Sequence, residues 1–187
     1  MKRICITALF ALLLVFPTGL KAQKNTNEAI AKIRKIYAEA MDKINSAGEY
    51  YKEQDFIDHT TIKAVEMWPG SGPHQETKDF YYILDLDEET SLSRHLFFVR
   101  IKYNVAVQES YFEFLYDENE NLVFYYTKQN LYEYDGEPVE CRFYYDNGKL
   151  IKTICTDKWK AEERPNAQGV YKKALQYRDF IKDSDGF

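Results

Sequence analysis

The sequence predicts an α+β fold: a single antiparallel sheet of about six to eight strands, packed on a long N-terminal helix, with a short C-terminal helix. Apolar residues between positions 30 and 47 follow helical spacing. From Thr60 onward the period changes to two, with turn signals between about seven strand candidates. A helical stripe returns near Val170. Strands grouped between two helices, rather than alternating with helices, are typical of α+β domains.

The first 22 residues have the pattern of a cleavable secretory signal. Lys2 and Arg3 precede an apolar run from Ile4 to Phe16, and the small residue Ala22 ends the segment. The run is shorter than the roughly 20 residues that a membrane-spanning helix needs, so we expect no transmembrane segment. Residues 23–187 are expected to form one domain that is exported to the periplasm or the extracellular space.

The charge balance argues against a nucleic-acid partner. The chain has 25 Lys and Arg against 30 Asp and Glu, a formal net charge of −5, and loss of the leader lowers it to −8. Nucleic-acid binding requires clustered basic residues that release counterions from phosphates. A domain of this size can bury roughly 70% of its unfolded surface, so one hydrophobic core is expected to stabilise it without the help of disulfides or metal ions.

The N-terminal helix is predicted to begin at a capping box formed by Asn25 and Glu28 and to end at Gly48. Its apolar stripe contains Ile30, Ile33, Tyr37, Ala40, Ile44 and Ala47. Charges of both signs lie off the stripe. This pattern favours a helix that packs across a sheet over one that lies on a membrane.

The predicted strands are Thr60 to Met67, Thr77 to Leu86, Leu96 to Val107, Ser110 to Tyr116, Asn121 to Thr127, Val139 to Tyr145 and Leu150 to Cys155. In the third strand, Phe97, Val99, Ile101, Tyr103 and Val105 alternate with polar positions that include Arg100 and Lys102. Such alternation predicts a sheet with one buried face and one face in water. A C-terminal helix from Val170 to Ile181 is expected to close the domain.

Two hairpins can be predicted from their turns. A three-residue loop after Tyr116-Asp117 would pair Tyr116 with Leu122, Phe114 with Phe124 and Phe112 with Tyr126, all on one face, with Glu120 in a left-handed position. Asn147-Gly148 suits a two-residue type I′ turn that places Tyr145 opposite Leu150.

These Tyr-Asp hairpins resemble those of exported bacterial repeat and meander proteins. The overall pattern of a helix, a long meander and a closing helix is also similar to uncharacterised secreted proteins of Gram-negative bacteria. The resemblance implies hairpins and an exported domain, and it implies no activity.

Cys141 and Cys155 remain after removal of the leader, and their pairing depends on register. A two-residue loop puts Cys141 opposite Ile154 and turns Cys155 to the other face. A three-residue loop with Gly148 as a bulge would bring both to one face. Because Asn-Gly favours the first register, we expect free thiols.

No catalytic, metal or cofactor site is predicted. His59, His74 and His95 lack metal-ligand spacing, and the acidic clusters Asp85 to Glu89 and Asp117 to Glu120 are interpreted as solvated turns. Glu109, Glu113 and Glu133 show no spacing that pairs carboxylates for catalysis.

The preferred hypothesis is a non-enzymatic binding module for a protein, peptide or glycan, with the oligomeric state left open. The stiff loop from Trp68 to His74 contains two Pro and two Gly, and it presents both aromatic residues as a tip. Tyr81, Tyr125 and Tyr144 are expected to form an exposed aromatic face on the sheet.

Two alternatives remain open. One is a small envelope hydrolase or isomerase with a pocket between helix and sheet, in which a carboxylate or His95 acts as base. The other is a carrier of an apolar or amphiphilic ligand. An apolar void of several hundred Å3 would favour the carrier.

Overall fold

A computed structural model describes residues 17–46, 56–70, 72–86, 92–106 and 108–184. Two helices, α1 (Pro17–Ser46) and α2 (Ala167–Ser184), flank seven strands. The strands are β1 (Phe56–Trp68), β2 (Gly72–Leu86), β3 (Leu92–Val105), β4 (Gln108–Tyr116), β5 (Leu122–Gln129), β6 (Val139–Asp146) and β7 (Lys149–Cys155). The predicted Gly48 stop, the carboxylates at 87–89 and most of the predicted leader lie outside the described residues.

The seven strands form one antiparallel sheet in sequence order, so that β1 and β7 are its edges. The α+β prediction is therefore confirmed, including the N-terminal helix and the short C-terminal helix. Of the helices that the structure describes, none combines the length and apolar character needed to cross a bilayer.

Both faces of the sheet are covered by helices, which corrects the prediction of a sheet with one face in water. The α1 side buries Ile33, Ala40, Tyr81, Phe97, Phe98, Leu115, Val123, Phe124 and Tyr144. The α2 side buries Phe80, Val99, Ile101, Phe114, Tyr116, Tyr125, Phe143, Trp159, Ala174 and Tyr177. The central strands carry large apolar residues at both even and odd positions, and both sets must be removed from water.

The β4–β5 hairpin confirms only part of the predicted register. Tyr116 pairs with Leu122, and Glu120 has a φ of 55°, as expected. A bulge at Leu115 and Tyr116 then shifts every further pair by one residue. Phe114 consequently lies opposite Tyr125, while Phe124 lies opposite Leu115 on the α1 side. The prediction that all six aromatic and Leu residues share one face is wrong.

The cysteines are joined, and the prediction of free thiols is wrong. Asn147 and Gly148, with φ values of 48° and 74°, form the predicted two-residue turn. A bulge at Tyr144 and Tyr145 moves the register by one residue beyond it, so that Cys141 faces Cys155 and the two form a disulfide. Edge strand β7 is thereby covalently tied to β6.

Candidate functional site

An open groove lies between α2 and the sheet and has a volume of about 470 Å3. Its lining residues are Glu76, Ile101, Tyr103, Phe112, Phe114, Tyr125, Asn166, Gly169, Val170, Lys173 and Tyr177. Aromatic and aliphatic carbon makes up most of this surface, and the polar groups come from Glu76, Asn166, Lys173 and the hydroxyls of three tyrosines. This size and composition are those of small-molecule sites in proteins.

Helix α2 is fixed over the sheet by hydrogen bonds from buried tyrosines. The Tyr116 hydroxyl donates to the Ala174 carbonyl at 2.9 Å, and the Tyr145 hydroxyl donates to the Ala167 carbonyl at 2.8 Å. At the start of the helix, the Asn166 side chain accepts a hydrogen bond from the Gly169 backbone amide at 2.9 Å. These contacts set the spacing between helix and sheet, and with it the width of the groove.

The polar rim of the groove has one paired and one unpaired charge. Glu76 forms an ion pair with Lys78 at 2.5 Å. The Lys173 ammonium lies 5.1 Å from the centre of the Tyr177 ring, and no carboxylate of the described residues lies within ion-pair distance of it. Burial and the nearby Glu76 raise the pKa of the Tyr177 hydroxyl. Lys173 is therefore a cation at the rim without an internal counter-ion among those residues.

Three aromatic side chains, Trp68, His74 and Tyr103, form a continuous contact that we call the aromatic row. The Trp68 and His74 rings stack with centres 4.1 Å apart, and His74 Nδ1 lies 2.9 Å from the Tyr103 hydroxyl. Trp68 Nε1 also donates to the Glu66 carboxylate at 2.9 Å. Because Tyr103 lines the groove, the row links the groove to the tip of the β1–β2 hairpin.

Of the five predicted binding residues, Trp68 alone is exposed: His74 is 6% exposed, so the expected two-residue aromatic tip is wrong, and the three sheet tyrosines do not lie on an open face. Tyr81, Tyr125 and Tyr144 are 7%, 3% and 4% exposed, because α1 covers the first and third and α2 covers the second. Tyr125 still lines the groove floor, and Tyr144 lines a second cavity described below. The expectation that they form one exposed aromatic platform is wrong.

The groove itself was missed at the sequence level. Its floor combines residues of four strands and a helix, and sequence periodicity predicts burial without showing where a covering helix leaves a gap. The available signal was Lys173, a cation between the apolar positions Val170, Ala174 and Tyr177 of the C-terminal stripe.

A second cavity of about 450 Å3 lies between α1 and the sheet, with a polar network at its base. Its lining residues are Ile33, Arg34, Tyr37, Glu113, Phe124, Tyr126, Arg142 and Tyr144. The Glu113 side chain accepts hydrogen bonds from the hydroxyls of Tyr37 at 2.8 Å and Tyr111 at 2.5 Å. Burial, reinforced by the Glu113 carboxylate, raises the pKa of both phenols.

This network is organised to hold α1 against the sheet. Glu113 is only 4% exposed and is the shared acceptor of one tyrosine on α1 and one on β4. Arg142 pairs with Glu140 at 2.7 Å and lies over the Tyr126 ring. This cavity contains a carboxylate, Glu113, as the hydrolase alternative requires, whereas His95 is not among its lining residues.

His59 and His95 do not form a catalytic relay. His59 Nε2 lies 3.2 Å from both the Asp79 carboxylate and the Thr61 hydroxyl. A hydrolytic triad instead needs the acid and the nucleophile on opposite ring nitrogens. The exposed His95 lies 3.4 Å from the Ser93 hydroxyl. Within the described ranges, no group of three or more His, Cys, Asp or Glu side chains is arranged to hold a metal ion.

Comparison with known proteins does not assign the chain to a family. No family model, no curated protein and no solved structure matches it. The groove, the unpaired Lys173 and the aromatic row are therefore the features from which a function can be inferred.

Proposed function

We propose that this chain is a non-enzymatic exported binding protein that carries an anionic amphiphile in the groove beneath α2. The observation that supports the proposal is an open apolar cavity of about 470 Å3 with a cation at its rim. The proposal keeps the binding module expected from the sequence and combines it with the carrier alternative. The proposed binding site is the groove, in place of the open aromatic face expected from the sequence.

The apolar body of the ligand would contact Ile101, Phe112, Phe114 and Val170. Each Å2 of apolar ligand surface that moves from water to the floor of the groove contributes roughly 25 cal/mol to the free energy of binding. Tyr116 and Tyr145 hold α2 in place before the ligand arrives, which lowers the ordering cost of binding.

The side chains at the rim of the groove favour a negatively charged head group on the ligand. Lys173 has no carboxylate partner in the described part of the chain, whereas the charge of Glu76 is offset by Lys78. Asn166 and Gly169, at the start of α2, line the same groove, so the positive end of the helix dipole adds to the potential of Lys173. A carboxylate, sulfate or phosphate head group is favoured over a cationic one.

The groove supports binding better than catalysis. Its polar side chains are Glu76, Asn166, Lys173 and three tyrosines, and no Ser, Thr or Cys of the described residues lines it. The Tyr103 hydroxyl contacts a base, His74, but a phenol is an exceptional nucleophile in hydrolysis, whereas carriage needs only apolar surface and one orienting charge.

Calorimetric titration with dodecanoate, kept below its micelle concentration, tests the proposal. Lys173→Glu should weaken dodecanoate binding about fivefold to tenfold, because reversal of the charge replaces an exposed attraction of about 0.5–0.7 kcal/mol by a similar repulsion. Binding of the uncharged dodecanol should change little. Lys172→Glu is the matched control, since this exposed neighbour on α2 does not line the groove.

Val170→Trp is a second variant that should fill the groove and weaken both ligands. The proposal is wrong if the unaltered protein binds neither ligand. It is also wrong if Lys173→Glu and Lys172→Glu bind dodecanoate equally well.

A further inference from the structure

Exposed apolar side chains are concentrated at the tip of the β1–β2 hairpin, which we define as residues 65–70. Val65, Met67 and Trp68 are 67%, 73% and 52% exposed. Every residue from Lys63 to Gly70 is exposed, so this end of the hairpin projects beyond the cover of both helices. Single exposed apolar residues are ordinary, but a concentration of three within four positions calls for an explanation.

The apolar side chains of the tip lie on both faces of the hairpin. Val65 and Met67 pair with Gln75 and Pro73 and point to the α1 side of the sheet. Trp68 pairs with Gly72 and points to the α2 side. A flat protein surface would cover one of these faces only, whereas a lipid interface surrounds an inserted tip on all sides.

The tip is rigid before it meets a partner. Gly70 and Gly72 have φ values of 87° and 79°, which complete a tight reversal between Pro69 and Pro73. The Trp68 ring is held by its stacking on His74 and by its hydrogen bond to Glu66. Insertion therefore costs little conformational entropy. Tryptophan is also the side chain that prefers the level of lipid head groups, where its ring is apolar and its N–H is wet.

The charge of the molecule indicates which type of lipid surface the tip can meet. Lys63 and Glu66 give the tip and the residues beside it one charge of each sign, and the chain as a whole is acidic, with a formal net charge of −5. Anionic lipid attracts basic clusters and repels acidic proteins. The tip accordingly fits a zwitterionic phospholipid surface.

The tip also lies next to the groove. Glu76, at the groove rim, is four residues along β2 from Gly72, a distance of about 13 Å at ~3.3 Å per residue. The aromatic row spans this interval on the α2 side. We propose that the hairpin tip docks on a zwitterionic phospholipid surface and so brings the groove to the source of its amphiphile. The loading step rests on the proposed function, whereas the docking step does not.

Tryptophan fluorescence tests the docking step, because the chain has two tryptophans in different environments. Trp159 is 1% exposed, so Trp68 reports changes in contact with solvent. With phosphatidylcholine vesicles, we expect a blue shift of the emission and quenching by lipids brominated in their acyl chains. Trp159→Phe should retain both responses.

The variant Val65→Glu with Met67→Glu should lose the blue shift and the sedimentation with vesicles. Its control is Leu150→Glu with Ile154→Glu, which places the same charges at exposed apolar positions on the opposite edge strand. Circular dichroism confirms that each variant is folded. The docking proposal is overturned if the unaltered protein gives no shift, if both double variants bind vesicles equally, or if binding requires phosphatidylglycerol.

Dodecanoate titration of the same variants separates the two proposals. The tip variant should bind dodecanoate normally, and Lys173→Glu should still sediment with vesicles. In the unaltered protein, dodecanoate binding without vesicle binding overturns docking alone, while vesicle binding without dodecanoate binding overturns the carrier function alone.

Discussion

Glu113 shows how one side chain can join two elements. Its carboxylate accepts hydrogen bonds from Tyr37 on α1 and Tyr111 on β4 in a buried position. Glu113 occurs in an alternating strand pattern, and sequence alone gives no reason to choose it over Glu109. Its partner Tyr37 is 76 residues away along the chain. The pairing requires the position of α1 on the sheet, which is a property of the packed fold.

Glu113→Ala should lower the free energy of unfolding by about 2–4 kcal/mol, because two buried phenols lose a charged acceptor. Glu113→Gln should cost less, since the amide oxygen still accepts one hydrogen bond. Urea denaturation measures both values. Glu118→Gln, in an exposed turn, is the control, and a Glu113→Ala protein as stable as this control would contradict the assignment of Glu113 as a tether.

At the scale of elements, the strands could be predicted and their bulges could not. Turn residues such as Asn147-Gly148 and alternating apolar positions located all seven strands. Each bulge adds one residue to one strand without a clear sequence signal, and it reverses the face of every side chain beyond it. The bulges moved Phe124 to the α1 side and turned Cys155 toward Cys141.

Reduction of the Cys141–Cys155 disulfide should lower the free energy of unfolding by about 3 kcal/mol, the loop-closure contribution for a separation of 14 residues. Urea denaturation with and without dithiothreitol measures the difference. Cys141→Ala with Cys155→Ala should already have the lower stability and be insensitive to the reductant. If dithiothreitol leaves the stability of the unaltered protein unchanged, the disulfide contributes nothing to it.

At the scale of the whole molecule, the helix layers bury many tyrosines. Burial raises the pKa of Tyr116, Tyr125 and Tyr145, and burial together with a hydrogen bond to Glu140 raises that of Tyr126 to about 12. The sequence indicated high aromatic content and a C-terminal helix, but it could not show that this helix covers the second face of the sheet, because the alternation in β3 alone fits an open face. The groove depends on that helix.

These raised values predict a loss of stability at alkaline pH. A phenol with a pKa above its unfolded value of ~10 stabilises the fold below that pH, and this contribution is lost as the pH rises through the folded value. Phenolate absorbance at 295 nm should therefore rise steeply together with loss of circular dichroism above pH 10. Gradual ionisation of all 16 tyrosines in a protein that stays folded would contradict the burial described for these side chains.

The most direct test of the carrier function is a crystal structure of the protein grown with dodecanoate. The carrier function predicts an alkyl chain against Phe112, Phe114 and Val170, with the carboxylate within ion-pair distance of Lys173. An empty groove at saturating dodecanoate, or a ligand bound in the cavity beside Glu113, would contradict it.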